Sequence, residues 1–199
     1  MEVEALAVAD AWLCTPRQLP DDRGVFLEWF RADFLVERTK RRFDVVQANH
    51  SVSRRGTLRG LHFADVPPGQ AKYVYCARGA VVDIIVDVRE GSPTFGAHVA
   101  VQLDDADRQG VFIAEGLAHA FCARSETAEV VYLVSSTYNP TAEHAVNPLD
   151  PALALPWPSD VGALVLSDKD SAAPSLEQAR AAGTLPSYDA CRQRYAELS

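Results

Sequence analysis

Cysteine is scarce in this chain, and the spacing of its few cysteines excludes two classes of protein. The four cysteines among 199 residues, Cys14, Cys76, Cys122 and Cys191, lie far apart and form no CxxC pair. Thiolate zinc sites need closely spaced cysteines, and small secreted disulfide frameworks need a denser set. Cys76 and Cys122 fall in apolar runs, where a free cysteine behaves as a small core residue. We therefore expect neither a structural zinc site nor a disulfide framework.

Long apolar runs and an excess of basic residues are also missing. No apolar stretch approaches the roughly 20 residues of a membrane helix, and Met1 to Glu4 lack the features of a signal peptide. The net charge of −8 argues against a nucleic-acid polymer as partner, although a few arginines in a cleft can hold a small anionic ligand. The sequence predicts a cytoplasmic protein that binds neither membranes nor nucleic-acid polymers.

Short strand candidates follow one another through the middle of the chain. They are rich in Val, Ile and aromatic residues, and Arg-Gly, Pro-Pro-Gly and Gly-Ser-Pro separate them. Many short strands at this spacing predict a sandwich or a barrel. The clearest candidates are Phe43–His50, Thr57–Phe63, Ala71–Ala77, Ala80–Val88, Ala97–Leu103, Gly110–Ala114 and Glu129–Ser136.

Helical patterns are confined to the two ends of the chain. A chain of 199 residues is long enough for one domain with a full core. We predict a single all-β domain over residues 1–199, with a barrel core at about 20–150 and a C-terminal helical segment at about 171–199. The predicted helices are Phe30–Arg38, Ser175–Ala182 and Tyr188–Leu198.

Polar side chains within the strand candidates point to a cavity. Gln47 and Asn49 are two positions apart and share a face, as Tyr132 and Tyr138 do if their strand continues that far. Lys72 opens another strand. Inward polar groups must be hydrogen-bonded or face a cavity, so together these residues favour a polar ligand site. The alternative is that each lies on a solvated outer face.

One pair of segments resembles a known family. Leu58–Phe63 (LRGLHF), followed by Pro67–Lys72 (PPGQAK), is similar to the dTDP-4-dehydrorhamnose 3,5-epimerase family. The resemblance implies a cupin-like antiparallel β-barrel (jelly roll) with short helices, mainly C-terminal, and a reaction that needs no metal or other cofactor. Further matching blocks are Asp22–Phe26, Arg78–Ala80, Asp83, Asp87–Arg89, Gly91–Gly96, Glu115–Phe121, Asn147–Pro151 and Leu166–Asp170.

The resemblance assigns catalytic roles to four residues. It implies that His62, paired with Asp170, removes a proton beside a ketone; a histidine suits this task because its pKa lies near 7. Tyr132 would return a proton from the opposite face, and Lys72 would stabilise the enolate oxygen. The implied substrate is a dTDP-linked 4-keto-6-deoxy sugar, whose thymine base would stack on Tyr138.

The resemblance also implies further substrate contacts and a homodimer. Members of this family exchange an N-terminal strand between subunits, which would bring Arg23 and Glu28 to the partner's site. Arginine suits a diphosphate because its planar fork donates two parallel hydrogen bonds. The implied contact residues are Arg23, Glu28, Gln47, Asn49, Arg59, Lys72, His119, Glu143 and Lys169.

The residues after His62 bear on which carbon is inverted. Phe63 and Ala64 stand where members of the rhamnose pathway usually have Tyr and Gln. The segment looks closer to the subgroup that makes deoxysugars for antibiotics, in which 3-epimerases occur. We therefore expect inversion at carbon 3 of dTDP-4-keto-6-deoxyglucose, with a 3,5- or 5-epimerase as the alternative.

Three other functions are alternatives to an epimerase. A metal-dependent cupin commonly carries an HxH element, whereas His62 is followed by Phe63 and Ala64 and no HxH occurs in the chain. A cupin-like 3,4-ketoisomerase shares the base chemistry, and a sugar-nucleotide-binding module would need no base or acid. The combination of His62, Lys72, Tyr132 and Asp170 favours an epimerase.

Strand geometry gives one prediction that does not depend on the resemblance. Arg59 and His62 are three positions apart, so a regular strand would direct them to opposite faces. A shared cavity requires one extra residue between them. We predict a bulge or ladder break at Gly60 or Leu61, because glycine adopts backbone angles that other residues avoid.

Overall fold

Thirteen strands are the main regular elements of the computed structural model, which describes residues 1–199. In chain order they are β1 Glu2–Ala5, β2 Ala11–Thr15, β3 Gln18–Asp21, β4 Gly24–Leu27, β5 Gln47–Arg54, β6 Leu58–Ala64, β7 Lys72–Arg78, β8 Ala80–Asp87, β9 His98–Asp104, β10 Gly110–Ile113, β11 Leu117–Ala123, β12 Thr127–Val134 and β13 Glu143–Ala145.

The strands form two main antiparallel sheets. The larger has the order β1-β2-β10-β7-β12-β5, and the smaller has the order β13-β6-β11-β8-β9. From β5 to β8 and again from β9 to β13, consecutive strands alternate between the sheets, which is the topology of a double-sheet jelly roll. The all-β prediction is confirmed, although the sheets do not close into one barrel. β3 and β4 form a separate hairpin.

Apolar side chains from both sheets fill the space between them. Val74, Val111 and Val130 of the larger sheet pack with Ile85 and Phe121 of the smaller one. The hydrophobic effect stabilises this arrangement by about 25 cal/mol for each Å² of apolar surface removed from water. The two sheets are therefore held face to face by one shared core.

The outer face of each sheet is also covered, which explains why several strands are apolar on both faces. Trp29 and Phe30 pack on Tyr73 and Tyr75 of β7, with Trp29 and Tyr75 ring centroids 5.1 Å apart. Segments near the C-terminus cover the smaller sheet through residues such as Leu153. The helices are α1 Ala32–Thr39, α2 Asp168–Ser171, α3 Leu176–Ala181 and α4 Tyr188–Glu197. None of them is long and apolar enough to cross a membrane.

A buried arginine fastens the last helix to the sheets. Arg89 is fully buried and donates hydrogen bonds to Asp87, Asp10 and the Tyr195 hydroxyl of α4. A buried charge is tolerated only when it is paired and hydrogen-bonded. The network therefore fixes the position of α4 against the end of β8.

Some predicted boundaries were wrong. The strand predicted at Phe43–His50 is β5, which begins later because Gln47 pairs with Val134 of β12. Phe43 instead packs against Phe112, with ring centroids 5.2 Å apart. β12 ends at Val134, so Tyr138 follows the strand in a loop. β1 and β2 were not predicted, and they extend the larger sheet upstream of residue 20.

The predicted bulge is present between Arg59 and His62. His119 pairs with His62 and Phe121 with Arg59, so a two-residue step on β11 faces a three-residue step on β6. Gly60 has φ +115°, and a Cβ there would lie 2.4 Å from the carbonyl oxygen of His119. The extra residue directs both Arg59 and His62 towards the same cavity.

We expect Gly60→Ala to lower the free energy of unfolding by roughly 3 kcal/mol, because the new methyl group meets a backbone oxygen at a φ that L-residues avoid. Gly96→Ala is the matched control: Gly96 also has a positive φ, +78°, but nothing within 4 Å of its added Cβ. The control should lose only about 1 kcal/mol. Urea denaturation at one protein concentration measures both, and equal losses would contradict the steric argument.

Candidate active site

A cavity of about 550 Å³ opens between the two sheets, within the size range of small-molecule sites. Lys72 and Tyr132 enter it from the larger sheet, and Arg59, His62 and His119 enter it from the smaller one. The segment that leads into α2 closes one side. Side chains from both sheets can therefore reach opposite sides of a single ligand.

His62 and Asp170 form a hydrogen-bonded pair at this cavity. His62 Nε2 lies 2.7 Å from Asp170 Oδ1, and the Ser167 hydroxyl caps α2 by accepting the Asp170 backbone N–H. Burial tends to raise the pKa of Asp170, but the hydrogen bond and charge of His62 together hold that pKa below its usual value. An ionised Asp170 keeps the proton on Nε2 and leaves Nδ1 as the basic atom.

Lys72 is a buried cation at the beginning of β7. Burial lowers the pKa of Lys72 to about 8, against the opposing effect of the Glu143 charge. At neutral pH the ammonium form still predominates. A buried ammonium in a cavity is suited to stabilise negative charge that develops on a ligand oxygen.

Tyr132 projects from β12, in the sheet opposite His62. Burial raises the pKa of the Tyr132 phenol and the Glu143 charge raises it further, whereas Arg59 acts in the other direction. The phenol therefore stays protonated at neutral pH and can donate a proton or a hydrogen bond. Base and acid thus approach the cavity from opposite sheets.

A second histidine–carboxylate pair lies beside the first. His119 Nε2 is 2.7 Å from Oδ2 of the fully buried Asp83, and His119 is the direct cross-strand neighbour of His62. Oδ1 of Asp83 has no hydrogen-bond partner. Asp83 is one of the positions that match the family, but no role at the site was predicted for it. The sequence did contain one signal for Asp83, because it is a single carboxylate within the otherwise apolar run of β8.

Several basic side chains also line the cavity. Arg59 Nε donates to the Ser53 hydroxyl at 3.1 Å, which leaves the terminal nitrogens of its guanidinium for a ligand. Arg54 and Lys169 also line the cavity. This arrangement suits paired anionic oxygens. Ser53 and Arg54 were not predicted, because nothing in the sequence of β5 links them to Arg59.

Most of the predicted site residues line the cavity, but four do not. Gln47 Oε1 accepts the backbone N–H of Tyr138 at 3.2 Å, and Gln47 Nε2 donates to Asn49, so both residues lie near the cavity without lining it. Arg23 is 90% exposed in the β3–β4 hairpin, and Glu28 follows that hairpin. The predicted residues that do line the cavity are Arg59, His62, Lys72, His119, Tyr132, Tyr138, Glu143, Lys169 and Asp170.

Comparisons with known proteins agree with this fold. Residues 5–178 match the family model described as dTDP-4-dehydrorhamnose 3,5-epimerase. A dTDP-4-dehydrorhamnose 3,5-epimerase of Mycolicibacterium smegmatis is 52% identical over 192 residues, covering 96% of this chain and 94% of that enzyme. A dTDP-4-dehydrorhamnose 3-epimerase of Streptomyces niveus is 50% identical over 192 residues, covering 96% of this chain and 92% of that enzyme.

Solved structures agree as well. A 3'-monoepimerase from Streptomyces bikiniensis, in complex with dTDP-quinovose, superposes with a TM-score of 0.94 at 44% identity and covers 98% of each chain. The cupin-like fold that the resemblance implied is therefore confirmed. The chain belongs to the dTDP-4-dehydrorhamnose 3,5-epimerase family and is an isomerase.

Proposed function

We propose that this enzyme inverts carbon 3 of dTDP-4-keto-6-deoxyglucose in deoxysugar biosynthesis. The observation that carries the proposal is the pairing of a base and an acid across one cavity. The His62–Asp170 pair enters from the smaller sheet, Tyr132 enters from the larger, and Lys72 lies between the sheets as a buried cation. An inversion requires proton removal on one face of a planar intermediate and proton return on the other.

The proposed reaction moves protons only. His62 Nδ1 takes the hydrogen from carbon 3, and the electron pair of the broken C–H bond passes to the carbonyl oxygen at carbon 4. The Lys72 ammonium stabilises the resulting enolate oxygen. The Tyr132 hydroxyl then protonates carbon 3 from the opposite face while the carbonyl re-forms. No group is oxidised or reduced, so the chemistry requires no cofactor.

The substrate assignment rests on the basic side chains that line the cavity and on the ligand of one related enzyme. Arg59 and Lys169 are suited to hold a diphosphate, and the exposed Tyr138 offers an aromatic face for a thymine base. The 3'-monoepimerase from Streptomyces bikiniensis was solved with dTDP-quinovose, which supports a dTDP-linked sugar here. Inversion at carbon 3 alone rests on Phe63 and Ala64, because the relatives include 3-epimerases and 3,5-epimerases.

We also infer a homodimer. β5 is an edge strand of the larger sheet and carries the exposed Val52, while the β3–β4 hairpin stands apart and exposes Leu19 and Phe26. An open edge and an apolar hairpin are a common basis for strand addition between chains. Since β5 also lines the cavity, a hairpin docked there would bring Arg23 and Glu28 to the partner's site.

Proton NMR of the reaction in D2O tests the proposed function. We expect inversion and deuterium at carbon 3, and no deuterium at carbon 5. Deuterium and inversion at both carbons would make the enzyme a 3,5-epimerase, and a keto group moved to carbon 3 would make it a ketoisomerase. No turnover of the substrate, with binding intact, would favour a sugar-nucleotide-binding module.

Two variants in the same assay separate the base from the acid. His62→Asn should lower exchange at carbon 3 at least 1,000-fold, because no base remains. Tyr132→Phe should lose inversion more than exchange, since His62 can still remove the proton and return a deuteron to the same face. Wild-type exchange in His62→Asn, or equal loss of both readouts in Tyr132→Phe, would contradict the assigned roles.

The lowered pKa of Lys72 predicts an alkaline limit to activity. Lys72 must be protonated to stabilise the enolate oxygen, so kcat/KM should fall as the pH rises through about 8. Lys72→Arg keeps its charge throughout this range. The maximal kcat/KM of this variant should be lower because the geometry changes, but the decrease in kcat/KM near pH 8 should disappear. If kcat/KM falls near pH 8 in both proteins, the group that titrates there is not Lys72.

The homodimer predicts complementation between two defective proteins, one with a raised KM and one without its base. Light scattering at micromolar concentration should give twice the monomer mass. Arg23→Ala should raise KM, and mixing it with His62→Asn should restore activity, because one site of the mixed dimer then has both an intact base and an intact hairpin. A fully active monomer, or no recovery despite subunit exchange, would refute a shared site.

A further inference from the structure

Glu143 occupies a position in the cavity that substrate binding alone does not explain. β13 pairs with β6, so that Ala145 lies opposite His62 and Glu143 lies opposite Ala64, diagonal to the base. Glu143 Oε1 is 4.0 Å from His62 Nδ1 and 3.6 Å from Lys169 Nζ. The same carboxylate therefore faces both the basic nitrogen and a cation at the cavity rim.

The proposed reaction leaves a proton that must be removed. Each inversion ends with His62 protonated and Tyr132 deprotonated, so both groups must exchange protons with solvent before the next turnover. Nε2 of His62 is bonded to Asp170, whose side chain is only 5% exposed. Nδ1 faces the cavity, where bound substrate excludes water. A proton on Nδ1 therefore needs a transfer route to solvent that passes beside the substrate.

We propose that Glu143 carries protons between His62 Nδ1 and solvent, a role that rests on the proposed epimerase function. Its side chain is 20% exposed, and it lines both this cavity and a second, smaller pocket beside it. The distance of 4.0 Å exceeds a hydrogen bond, and one bridging water or a small rotation of the carboxylate spans it. The Nδ1–H bond breaks, an O–H bond forms on Glu143, and that proton then passes to water. His62 returns to its neutral form, and no electrons are transferred.

Two simpler roles for Glu143 predict different experimental results. A residue that only contacts the sugar would change KM when replaced, without changing how fast bound His62 exchanges its proton. If Glu143 only held Lys169 in place, replacing Lys169 would have the same effect as replacing Glu143. A proton carrier predicts slower exchange at saturating substrate and recovery with a small external carboxylate, at a pH well below 8 where Lys72 stays protonated.

The experiment uses the Tyr132→Phe enzyme, in which His62 removes, exchanges and returns the proton on one face. Deuterium entry at carbon 3 is followed by NMR in D2O with saturating dTDP-4-keto-6-deoxyglucose. Adding Glu143→Gln or Glu143→Ala should slow deuterium entry at least tenfold. Formate should restore it in the alanine variant, where it can occupy the vacated space, and not in the glutamine variant. Lys169→Met in the same background should raise the KM for substrate and slow exchange at saturation less than the Glu143 variants do, because the carrier is intact.

The outcomes separate this inference from the proposed function. Absence of deuterium entry in Tyr132→Phe, or its persistence in His62→Asn, would reject the epimerase mechanism together with the carrier. Deuterium entry that depends on His62 but is unchanged by Glu143→Gln would reject the carrier alone. An equal loss in Lys169→Met, or no recovery with formate, would also reject it.

Discussion

One extra residue in β6 is the constraint on which the rest of the site depends. A regular strand would direct Arg59 and His62 to opposite faces, whereas the bulge turns both towards the cavity. Only glycine fits at position 60, because a Cβ would meet the carbonyl oxygen of His119. The close approach of β11 therefore requires a glycine in β6, and that glycine brings Arg59 and the proposed base, His62, to one cavity. Sheet packing and site chemistry are set by the same contact.

Burial between the two sheets sets the protonation states that the proposed chemistry needs. It lowers the pKa of Lys72 to about 8 and raises that of Tyr132, while Glu143 raises both. Both groups consequently remain protonated at neutral pH. Asp170 has the opposite tendency, because its bond to His62 holds its pKa down despite burial. Lys72 and Tyr132, the two proposed donors on the larger sheet, therefore stay protonated. Asp170, which is paired with His62 of the smaller sheet, stays ionised.

The sequence predicted features that depend on local pattern or on the family motif. Seven of the thirteen strands (β5 to β10 and β12) and the bulge at Gly60 follow from side-chain alternation and glycine geometry, whereas β11, the middle strand of the smaller sheet, was not predicted. Features that depend on distant partners were missed: β5 begins at Gln47 because β12 fixes its register, and Ser53 contacts Arg59 from the other sheet. Asp83 was given no role because its histidine lies 36 positions away along the chain. Pairings between strands, rather than propensity, decide such contacts.

The two histidine–carboxylate pairs differ in a way that favours His62 as the base. Each histidine is 2.7 Å from its carboxylate, and the two are cross-strand neighbours. His119 is only 10% exposed and its partner Asp83 is fully enclosed, so a proton taken there would be released to water less readily. His62 is 29% exposed, and its free nitrogen faces Glu143. A base must both receive and release its proton in every turnover, and of the two histidines only His62 has surroundings suited to both steps.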